Sequence, residues 1–279
     1  MQFTAVAWNL FHGRDFPPDP ALFTWRSRLL RAAERNATHL QVNRDLLAEF
    51  AELLAGAEWD IALLQESPPR FAAPLARACR AEPHRVLTSR NSLGGLRALA
   101  ARLNPDLIAS GEGGSNLTLV RPAGPLGAIV ERRELTIHEG RPERRAMAFT
   151  RTASGVCIAN LHATNDRPRL AAEDVLLGAR TAVEWAGEAP LLFGGDLNLR
   201  PARDPDVFER LRERFGLAEP TAPDAIDHLL GRRLEAAEPP TRWPPERREL
   251  RRDGLALRLS DHTPVEARFA TRSPGRAAE

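Results

Sequence analysis

The sequence contains no lysine and no tyrosine, so all 39 of its basic side chains are arginines. With 37 acidic residues the net charge is only +2, although the pI is near 9.0. A guanidinium group binds phosphate in a bidentate way that an ammonium group cannot. The near balance of charges nevertheless argues against a purely electrostatic coat for nucleic acid. We therefore expect most of these arginines to lie on a solvated surface.

Cysteine is also scarce, and the two that occur, Cys79 and Cys157, lie too far apart for a zinc knuckle or a disulfide framework. We expect both to be reduced core residues. No apolar run is long enough to span a membrane, and no basic leader with an apolar core precedes the first predicted strand. These absences predict a cytoplasmic protein without a membrane span.

What is present is enough apolar material for one well-filled core, since 43% of the 279 residues are hydrophobic. We predict a single domain over residues 1–270, a disordered tail over 271–279, and a monomer. Two segments rich in glycine, or in proline and arginine, residues 84–115 and 216–256, are expected to be loop-heavy surface.

Apolar patterning predicts strands interleaved with a few helices. Helices are expected from an Asn43 cap to Gly56 and from about Pro168 to Gly187, because apolar side chains recur on one helical face in each. Short apolar runs predict strands at 3–8, 60–65, 117–121, 135–138, 146–152, 155–161, 190–193, 225–230 and 265–269.

Polar residues stand at the ends of these strands, where packing does not explain them. They are Asn9, Glu66, His162, Asp196, Asn198 and Asp261. A rigid sheet delivers side chains at its strand ends to a common site. Asp196 and Asn198 alternate along the chain, so in an extended conformation both point to one side and the neighbouring leucines to the other.

Six short motifs occur in order along the chain: Ala-Trp-Asn at 7–9, Leu-Leu-Gln-Glu at 63–66, Asn-Leu-His at 160–162, Gly-Gly-Asp-Leu-Asn at 194–198, Ile-Asp-His at 226–228 and Ser-Asp-His at 260–262. Together they resemble the endonuclease/exonuclease/phosphatase superfamily, which includes exonuclease III and DNase I-like phosphoesterases. The resemblance covers roughly residues 3 to 269. It implies a DNase I-like four-layer α/β sandwich, in which two mixed β-sheets pack face to face and helices flank them.

The resemblance implies that Glu66 is the central ligand of a divalent metal, Mg²⁺ or Mn²⁺, with Asn9 and Asp261 nearby. Mg²⁺ is a hard ion that prefers oxygen ligands and keeps several waters, so one or two carboxylates and a substrate oxygen are enough. Alone, a glutamate at a strand end is more often solvated than functional. The companion motifs reverse that expectation.

The resemblance also assigns catalytic roles. It implies that Asp196 orients or deprotonates the attacking water and that Asn198 bonds the phosphate or a metal-bound water. Asp227 is paired with His262, whose tautomer it fixes, and His162 takes a phosphate-contacting position.

Asn165, three residues after His162, could reach the same phosphate oxygens. For Asn165 and for His12, however, an ordinary structural role is at least as open. Which residue is the general base stays open.

The sequence departs from the family pattern at two places. In the abasic-site endonuclease branch an aspartate stands two residues after the asparagine of the first motif, whereas this chain has Phe11. A second metal position is therefore in doubt. The other departure is His228, where relatives commonly carry tyrosine, and a histidine there could titrate.

Substrate choice divides three ways. A nuclease comes first, with an arginine groove for DNA or RNA that includes Arg145 and with Trp243 as a stacking residue. The other groove candidates are Arg144, Arg242, Arg247, Arg248, Arg251 and Arg252. For the segment from Arg247 to Arg252 an ordinary charged surface is equally open. The second alternative is a small or lipid head-group phosphoester. A non-catalytic scaffold is third, and the intact motifs argue against it. We predict a metal-dependent phosphoester hydrolase that uses in-line attack of water.

Overall fold

The computed structural model describes residues 1–88, 91, 93–108, 111, 113–140, 143–218 and 221–271. Its strands are β1 Gln2–Asn9, β2 Glu34–Arg35, β3 Leu40–Gln41, β4 Ile61–Ser67, β5 Glu82–Leu87, β6 Ser115–Val120, β7 Ile129–His138, β8 Arg145–Thr152, β9 Cys157–His162, β10 Leu191–Asp196, β11 Asp227–Arg232, β12 Leu234–Ala236, β13 Thr241–Arg242, β14 Glu249–Arg252, β15 Leu255–Arg258 and β16 Val265–Thr271. Its helices are α1 Trp25–Leu30, α2 Leu47–Gly56, α3 Ala72–Ala78, α4 Gly94–Leu103, α5 Pro105–Ile108, α6 Pro168–Ala186 and α7 Pro205–Phe215. The predicted tail lies outside the described residues, except that Thr271 ends β16.

Two large mixed sheets organise the chain. The first has the order β12-β16-β1-β4-β6-β5, with β13 also paired to β16, and the second has the order β11-β10-β9-β8-β7. In the first sheet β1 and β4 run parallel, and in the second β9 and β10 do, while the other pairs are antiparallel. Two small ribbons, β2–β3 and β14–β15, complete the strands.

Apolar side chains of period two place the two sheets face to face. Residues from both sheets, among them Phe3 and Leu63 of the first and Ile158 and Leu192 of the second, form one buried cluster. The outer face of the first sheet packs on α2 and α3, and the outer face of the second packs on α6 and α7. The order helix, sheet, sheet, helix is the predicted four-layer α/β sandwich, and the predicted fold class is confirmed.

Each predicted strand overlaps an observed one, and the helix predicted from Pro168 is confirmed as α6. The predicted Asn43 cap is wrong. The Asn43 amide donates to the backbone carbonyls of Ser27 and Arg28 instead, and Asp45 Oδ1 accepts from the backbone N of Leu47, the first residue of α2. The Asn43 side chain therefore makes tertiary hydrogen bonds to α1 and does not form the α2 cap that the local sequence pattern predicts.

The two segments expected to be loop-heavy hold regular structure. Residues 84–115 contain α4 and α5, and residues 216–256 contain strands β11 to β14 and the beginning of β15. Helix α5 is only four residues long and the leucines of α4 are exposed to solvent, so neither helix carries the apolar pattern of a core-facing element. None of the helices within the described ranges combines the length and the apolarity that crossing a membrane requires.

Both cysteines are free and buried, as predicted. Cys79 lies at the end of α3 and Cys157 begins β9. Burial raises the pKa of each thiol to about 11. Since the thiolate is the reactive form, neither cysteine is set up as a nucleophile.

His84 gives the fold a dependence on pH that can be measured. Its ring lies between the sheets, where Nδ1 is 2.9 Å from Thr150 Oγ1. Burial, with the charge of Arg132 added, lowers the pKa of His84 to about 4. The folded protein thus binds fewer protons at His84 than the unfolded chain does. The contribution of His84 to the free energy of unfolding is therefore complete above the ordinary pKa of 6.5 and is lost as the pH falls towards 4.

We expect the wild-type protein to lose about 2–3 kcal/mol more unfolding free energy between pH 7 and pH 4.5 than the variant His84→Gln, which has no titrating ring. Denaturant unfolding at the two pH values measures the difference. Equal losses in the two proteins would show that His84 is not held neutral by the fold.

Candidate active site

The site forms where four central strands end on one side of the two sheets. Asn9 ends β1 and is paired in register with Gln65, the residue before Glu66, on the parallel strand β4. His162 ends β9 and is paired with Asp196 at the end of the parallel strand β10. Parallel strands deliver their carboxyl ends to the same edge, so both sheets contribute to one location.

The residue before Asp196, Gly195, has to be a glycine for two reasons. Its φ is +121°, and a Cβ there would lie 2.2 Å from Leu161 O and 2.9 Å from Gln65 Nε2. The missing side chain leaves room for Gln65 Nε2 to donate to Asn160 Oδ1 at 2.7 Å, a bond that joins the two sheets beneath the site. Only glycine satisfies both the backbone conformation and the close approach.

Asp196 is the centre of the cluster and is almost fully buried. Its Oδ2 accepts from Asn9 Nδ2 at 3.0 Å and lies 3.4 Å from His162 Nε2 and 3.9 Å from His262 Nε2. Burial raises the pKa of Asp196 to about 7, and the negative charges of Asp227 and Glu66 act in the same direction, while His262 and Asn9 oppose them. A carboxyl with a pKa near neutrality is suited to accept and return a proton.

His262 is paired with Asp227, as the family resemblance implied. The distance from His262 Nδ1 to Asp227 Oδ2 is 2.9 Å. Although burial opposes a charge on the ring, Asp227 and Asp196 hold the pKa of His262 well above its ordinary value. A pKa raised in this way favours the imidazolium form of His262, whose Nε2 faces Asp196.

His162 has the opposite character. Burial, helped by the positive charge of Arg145, lowers the pKa of His162 well below its ordinary value. The ring is neutral and lies between Asp196 and Glu66, with its Nε2 3.9 Å from Glu66 Oε1. Two histidines of contrasting protonation thus flank one buried carboxyl group.

Three further residues of the site, Asn9, Glu66 and Asp261, carry oxygen atoms that could act as metal ligands. Asn9 Oδ1 accepts from Phe11 N at 2.9 Å and has a second lone pair free for a ligand. Glu66 Oε2 is 3.2 Å from His12 Nε2. Partial desolvation raises the pKa of Asp261, and the charge of Glu66 raises it further against the opposing effect of His262.

This oxygen set fits a hard divalent cation. Asn9, Glu66 and Asp261 offer the neutral and anionic oxygens that Mg²⁺ and Mn²⁺ prefer, and the mutual repulsion of the two carboxylates is what a cation relieves. Asp196, Asp227 and His262 also present ligand atoms within 4.8 Å of one another. That second group fits a metal less well, because the imidazolium of His262 repels a cation and its Nδ1 is bonded to Asp227.

The loop between β15 and β16 is held in place by main-chain contacts that side-chain motifs do not reveal. Ser260 Oγ donates to Asn9 O at 2.6 Å, and His262 O accepts from Trp8 Nε1 at 3.0 Å and from Arg248 at 2.6 Å. These bonds position Asp261 and His262. Trp8 belongs to the first motif, next to Asn9, and its indole bonds the backbone of His262 in the last motif. The tryptophan in the first motif was therefore the sequence feature that could have indicated this contact.

Several residues of the site have a left-handed backbone. Glu66, Asn198 and Ser260 are non-glycine residues with φ values of 46°, 52° and 61°. The left-handed backbone of Asn198 shows that the predicted extended alternation with Asp196 is wrong, because β10 ends at Asp196. Asn198 nonetheless stays beside the carboxylate, since its backbone N donates to Asp196 Oδ1 at 3.2 Å and its Nδ2 donates to Ala163 O.

The predicted substrate-binding residues differ in their surroundings. Arg145 is buried at the start of β8, with its guanidinium 3.4 Å from Glu143, and its charge acts on His162. Asn165 is exposed beyond β9, and its Oδ1 accepts from the backbone N of Asp166. The structure thus sets Arg145 beside the cluster and shows Asn165 in a local turn.

The two departures from the family pattern have clear consequences. Phe11 offers no ligand oxygen, and the guanidinium of Arg14 stacks 3.8 Å over its ring, where the charge of Arg14 interacts with Asp261 and Glu66. His228 is fully buried, accepts at Nδ1 from Thr221 N and donates at Nε2 to main-chain carbonyls. Burial lowers the pKa of His228, which favours the neutral ring that these hydrogen bonds require.

Trp243 does not serve as a stacking residue for bases, so that prediction is wrong. The indole is 3% exposed, packs on Trp8 and donates to Glu266. The arginines nearest to it are paired or buried: Arg247 bonds Glu266, Arg242 bonds Asp224 and Arg248 bonds the loop carbonyls.

Solved structures of the same shape exist. An endonuclease/exonuclease/phosphatase family protein from Bacteroides thetaiotaomicron superposes with a TM-score of 0.62 at 14% identity, over 98% of this chain and 99% of that chain. The chain has the endonuclease/exonuclease/phosphatase fold. A mannosyl-6-phosphatase from the same organism matches with a TM-score of 0.62 at 14% identity, over 96% of this chain and 99% of that chain.

Truncated TDP2 from Caenorhabditis elegans also has the endonuclease/exonuclease/phosphatase fold, with a TM-score of 0.55 at 16% identity, over 96% of this chain and 97% of that chain. No family model and no curated protein matches the sequence itself. At these identities the likeness establishes the fold, and the function has to be argued from the site.

Proposed function

We propose that the protein is a metal-dependent phosphoesterase that hydrolyses a phosphoester bond by in-line attack of water. One observation carries the proposal: the buried carboxyl of Asp196 lies between a neutral and a charged histidine and next to the oxygen set of Asn9, Glu66 and Asp261. A proton acceptor, a cationic donor and a hard-metal ligand set are the three parts that phosphoester hydrolysis needs.

The metal would be held by Glu66, Asn9 Oδ1 and Asp261. When bound, it supplies a Lewis acid that polarises the phosphoryl oxygen and neutralises negative charge. The ligands reach the site from β1, from β4 and from the loop before β16, and the bond from Ser260 to Asn9 fixes their relative positions.

Asp196 is proposed to take the proton from the attacking water while the water oxygen bonds phosphorus and the bond from phosphorus to the ester oxygen breaks. The leaving alcohol takes its proton from solvent. Asn9 Nδ2 and Asn198 N each bond one of its oxygens, so the carboxylate is held in a single orientation. With its pKa near 7 the group is partly ionised at neutral pH and can accept a proton without a large cost in driving force.

The two histidines act on the phosphate. His262, kept positive by Asp227, is placed to donate from Nε2 to a phosphoryl oxygen as charge develops in the transition state. His162, kept neutral, donates or accepts one hydrogen bond and orients a second oxygen. The positive charge of Arg145 behind His162 adds attraction for an anionic group.

For the substrate, we propose a small or lipid head-group phosphoester ahead of nucleic acid. Of the arginines near Trp243, Arg242 and Arg247 are paired with acids and Arg248 bonds loop carbonyls, and the indole itself is buried. Nucleic acid is the second candidate, since Arg145 places a positive charge beside His162. One solved structure of this fold is named a mannosyl-6-phosphatase, and that name denotes activity on a small phosphoester.

Hydrolysis of bis-p-nitrophenyl phosphate, inositol phosphates, supercoiled plasmid, single-stranded DNA and RNA tests the proposal, each with Mg²⁺, with Mn²⁺ and with EDTA. We expect turnover of small phosphoesters that EDTA abolishes. The Asp196→Ala protein, purified in parallel, controls for contaminating enzymes. Metal-dependent nicking of plasmid would instead establish a nuclease, and no turnover of any substrate would indicate a non-catalytic scaffold.

A further inference from the structure

Exposed apolar side chains are concentrated on one surface of the molecule. They lie on α1 and the residues just before it and on α4 and α5, that is, in the segments 16–31 and 93–107, which we call the apolar cap. Trp25 is 66% exposed and Leu96 is 69% exposed. In the part of the chain that the structure describes, the large exposed hydrophobic residues outside the cap are Met1 and Val130. A concentration of this kind marks an interaction surface.

The two segments form one continuous surface. Both α1 and α4 pack against α5. Asn43 Nδ2 donates to Arg28 O at the end of α1 and to Asn104 Oδ1 just after α4, at 3.1 and 2.7 Å, and Asn104 Nδ2 donates to Arg28 O at 2.9 Å. The polar residues that tie the cap together face inward, which leaves its leucines to solvent.

The apolar cap lies beside the active site. A row of aromatic rings runs from Phe11 to Phe16 and on to Phe23, with centroids 5.7 and 5.2 Å apart, and Phe11 N bonds the candidate metal ligand Asn9. From the other side, the chain returns from α5 to Gly114, where a Cβ would lie 3.8 Å from the ring of His12. A molecule bound to the cap would therefore be at the edge of the site.

The charge of the cap is mainly positive. Its segments 16–31 and 93–107 contain five arginines and two aspartates, in a chain whose charges otherwise nearly balance. Asp19 is half-buried and accepts hydrogen bonds from the backbone N of Ala21 and from Asn36 Nδ2. Arg26, Arg28, Arg31 and Arg102 are exposed among the apolar side chains. The other aspartate, Asp106, is turned inward and accepts from Gln41 Nε2 at 2.9 Å. Exposed tryptophan, phenylalanine and leucine together with arginine are typical of helices that lie in the interface of an anionic membrane.

We propose that the apolar cap docks the protein onto an anionic lipid bilayer and thereby presents the active site to a phosphoester at the lipid surface. A second copy of the chain fits the cap poorly, because a two-fold contact would bring the arginines of one copy against those of the other. A bilayer accepts the apolar side chains below its head groups while lipid phosphates pair with the guanidinium groups. The docking is argued from the cap alone, whereas the lipid substrate rests on the proposed phosphoesterase function.

Co-sedimentation of the full chain with vesicles tests the docking. We expect binding to phosphatidylcholine vesicles that contain roughly a third phosphatidylserine, weaker binding to pure phosphatidylcholine, and a loss of binding as salt rises. The double variant Leu96→Glu and Leu99→Glu is expected to bind at least about tenfold more weakly, and the pair Arg26→Ala and Arg28→Ala about fivefold more weakly per arginine. Val130→Glu, equally an exposed apolar residue but on β7, is the matched control and should bind like the wild type.

Activity distinguishes a failure of docking from a failure of the proposed function. The Leu96→Glu, Leu99→Glu protein should hydrolyse soluble bis-p-nitrophenyl phosphate at the wild-type rate and should lose hydrolysis of phosphatidylinositol phosphate in vesicles in proportion to its binding. Vesicle binding in a wild-type protein that hydrolyses nothing would support the docking and refute the phosphoesterase.

Two results would overturn the docking. One is vesicle binding that the double variant leaves unchanged. The other is a wild-type protein that ignores vesicles but forms a dimer by light scattering, with the same substitutions restoring the monomer, because the cap would then be an interface between copies.

Discussion

Replacing Asp196 with asparagine is expected to lower the rate of phosphoester hydrolysis with Mg²⁺ by about 10²- to 10⁴-fold, the range that a positioned general base contributes. Asparagine keeps the shape of the side chain but takes no proton. Burial holds the pKa of Asp196 near 7 in the wild type, so the property removed is the one that the surrounding residues create. The rate at saturating bis-p-nitrophenyl phosphate measures the effect.

The same substitution is expected to leave thermal stability unchanged or higher, because burying a neutral amide costs less than burying a carboxylate. Loss of activity with intact folding separates a catalytic role from a structural one. Asp253→Asn makes the same chemical change at an exposed turn between β14 and β15 and should keep full activity. Turnover within a few fold of wild type in Asp196→Asn would remove Asp196 from the mechanism.

Replacing Glu66 with glutamine is expected to weaken metal binding by at least about 100-fold, the upper limit found for residues that only support a ligand. Glutamine preserves the volume of the side chain but not its charge, which in the structure raises the pKa of Asp261. The readout is independent of turnover. Mn²⁺ should raise the unfolding temperature of the wild-type protein by mass action and should leave that of Glu66→Gln unchanged.

Glu209→Gln, an exposed glutamate on α7, is the control for this experiment and should respond to Mn²⁺ like the wild type. An equal rise in unfolding temperature in Glu66→Gln would place the metal elsewhere, and the group of Asp196, Asp227 and His262 would be the next to test. Hydrolysis should fall together with metal binding, since the proposed reaction needs both.

The sheet could be predicted from the sequence because its strands carry strong local signals. Apolar runs such as 60–65 and 190–193 are largely buried, so the strands were visible, but β4 extends to Ser67 and β10 extends to Asp196, beyond the predicted ends. The topology brings Glu66 and Asp196 together from different sheets, and no local pattern reports that distance. The order of the six motifs, through the family resemblance, predicted that these residues share one site, which the periodicity of apolar residues could not.

Other features depended on tertiary contacts and were missed. Asn43 is a residue type that often caps helices, but its side chain bonds carbonyls of α1. Trp243 lies among arginines in the sequence, as a stacking residue would, but it packs on Trp8. Ser260 and Arg248 position the last motif through main-chain carbonyls, which every residue possesses. Helix α4 was missed because its leucines face solvent, so its apolar spacing does not describe a core.

The pairing of β1 with β16 also determines when the proposed centre can assemble during folding. Asn9 and Ser260 are bonded although 251 positions separate them, and β1 lies between β4 and β16 in its sheet. During synthesis one edge of β1 stays open until the last strand emerges. Closing so long a loop is slow because few native contacts guide it. Since this closure also brings Asp261 and His262 to Asn9, we expect the proposed centre to stay incomplete in a nascent chain until β16 is in place.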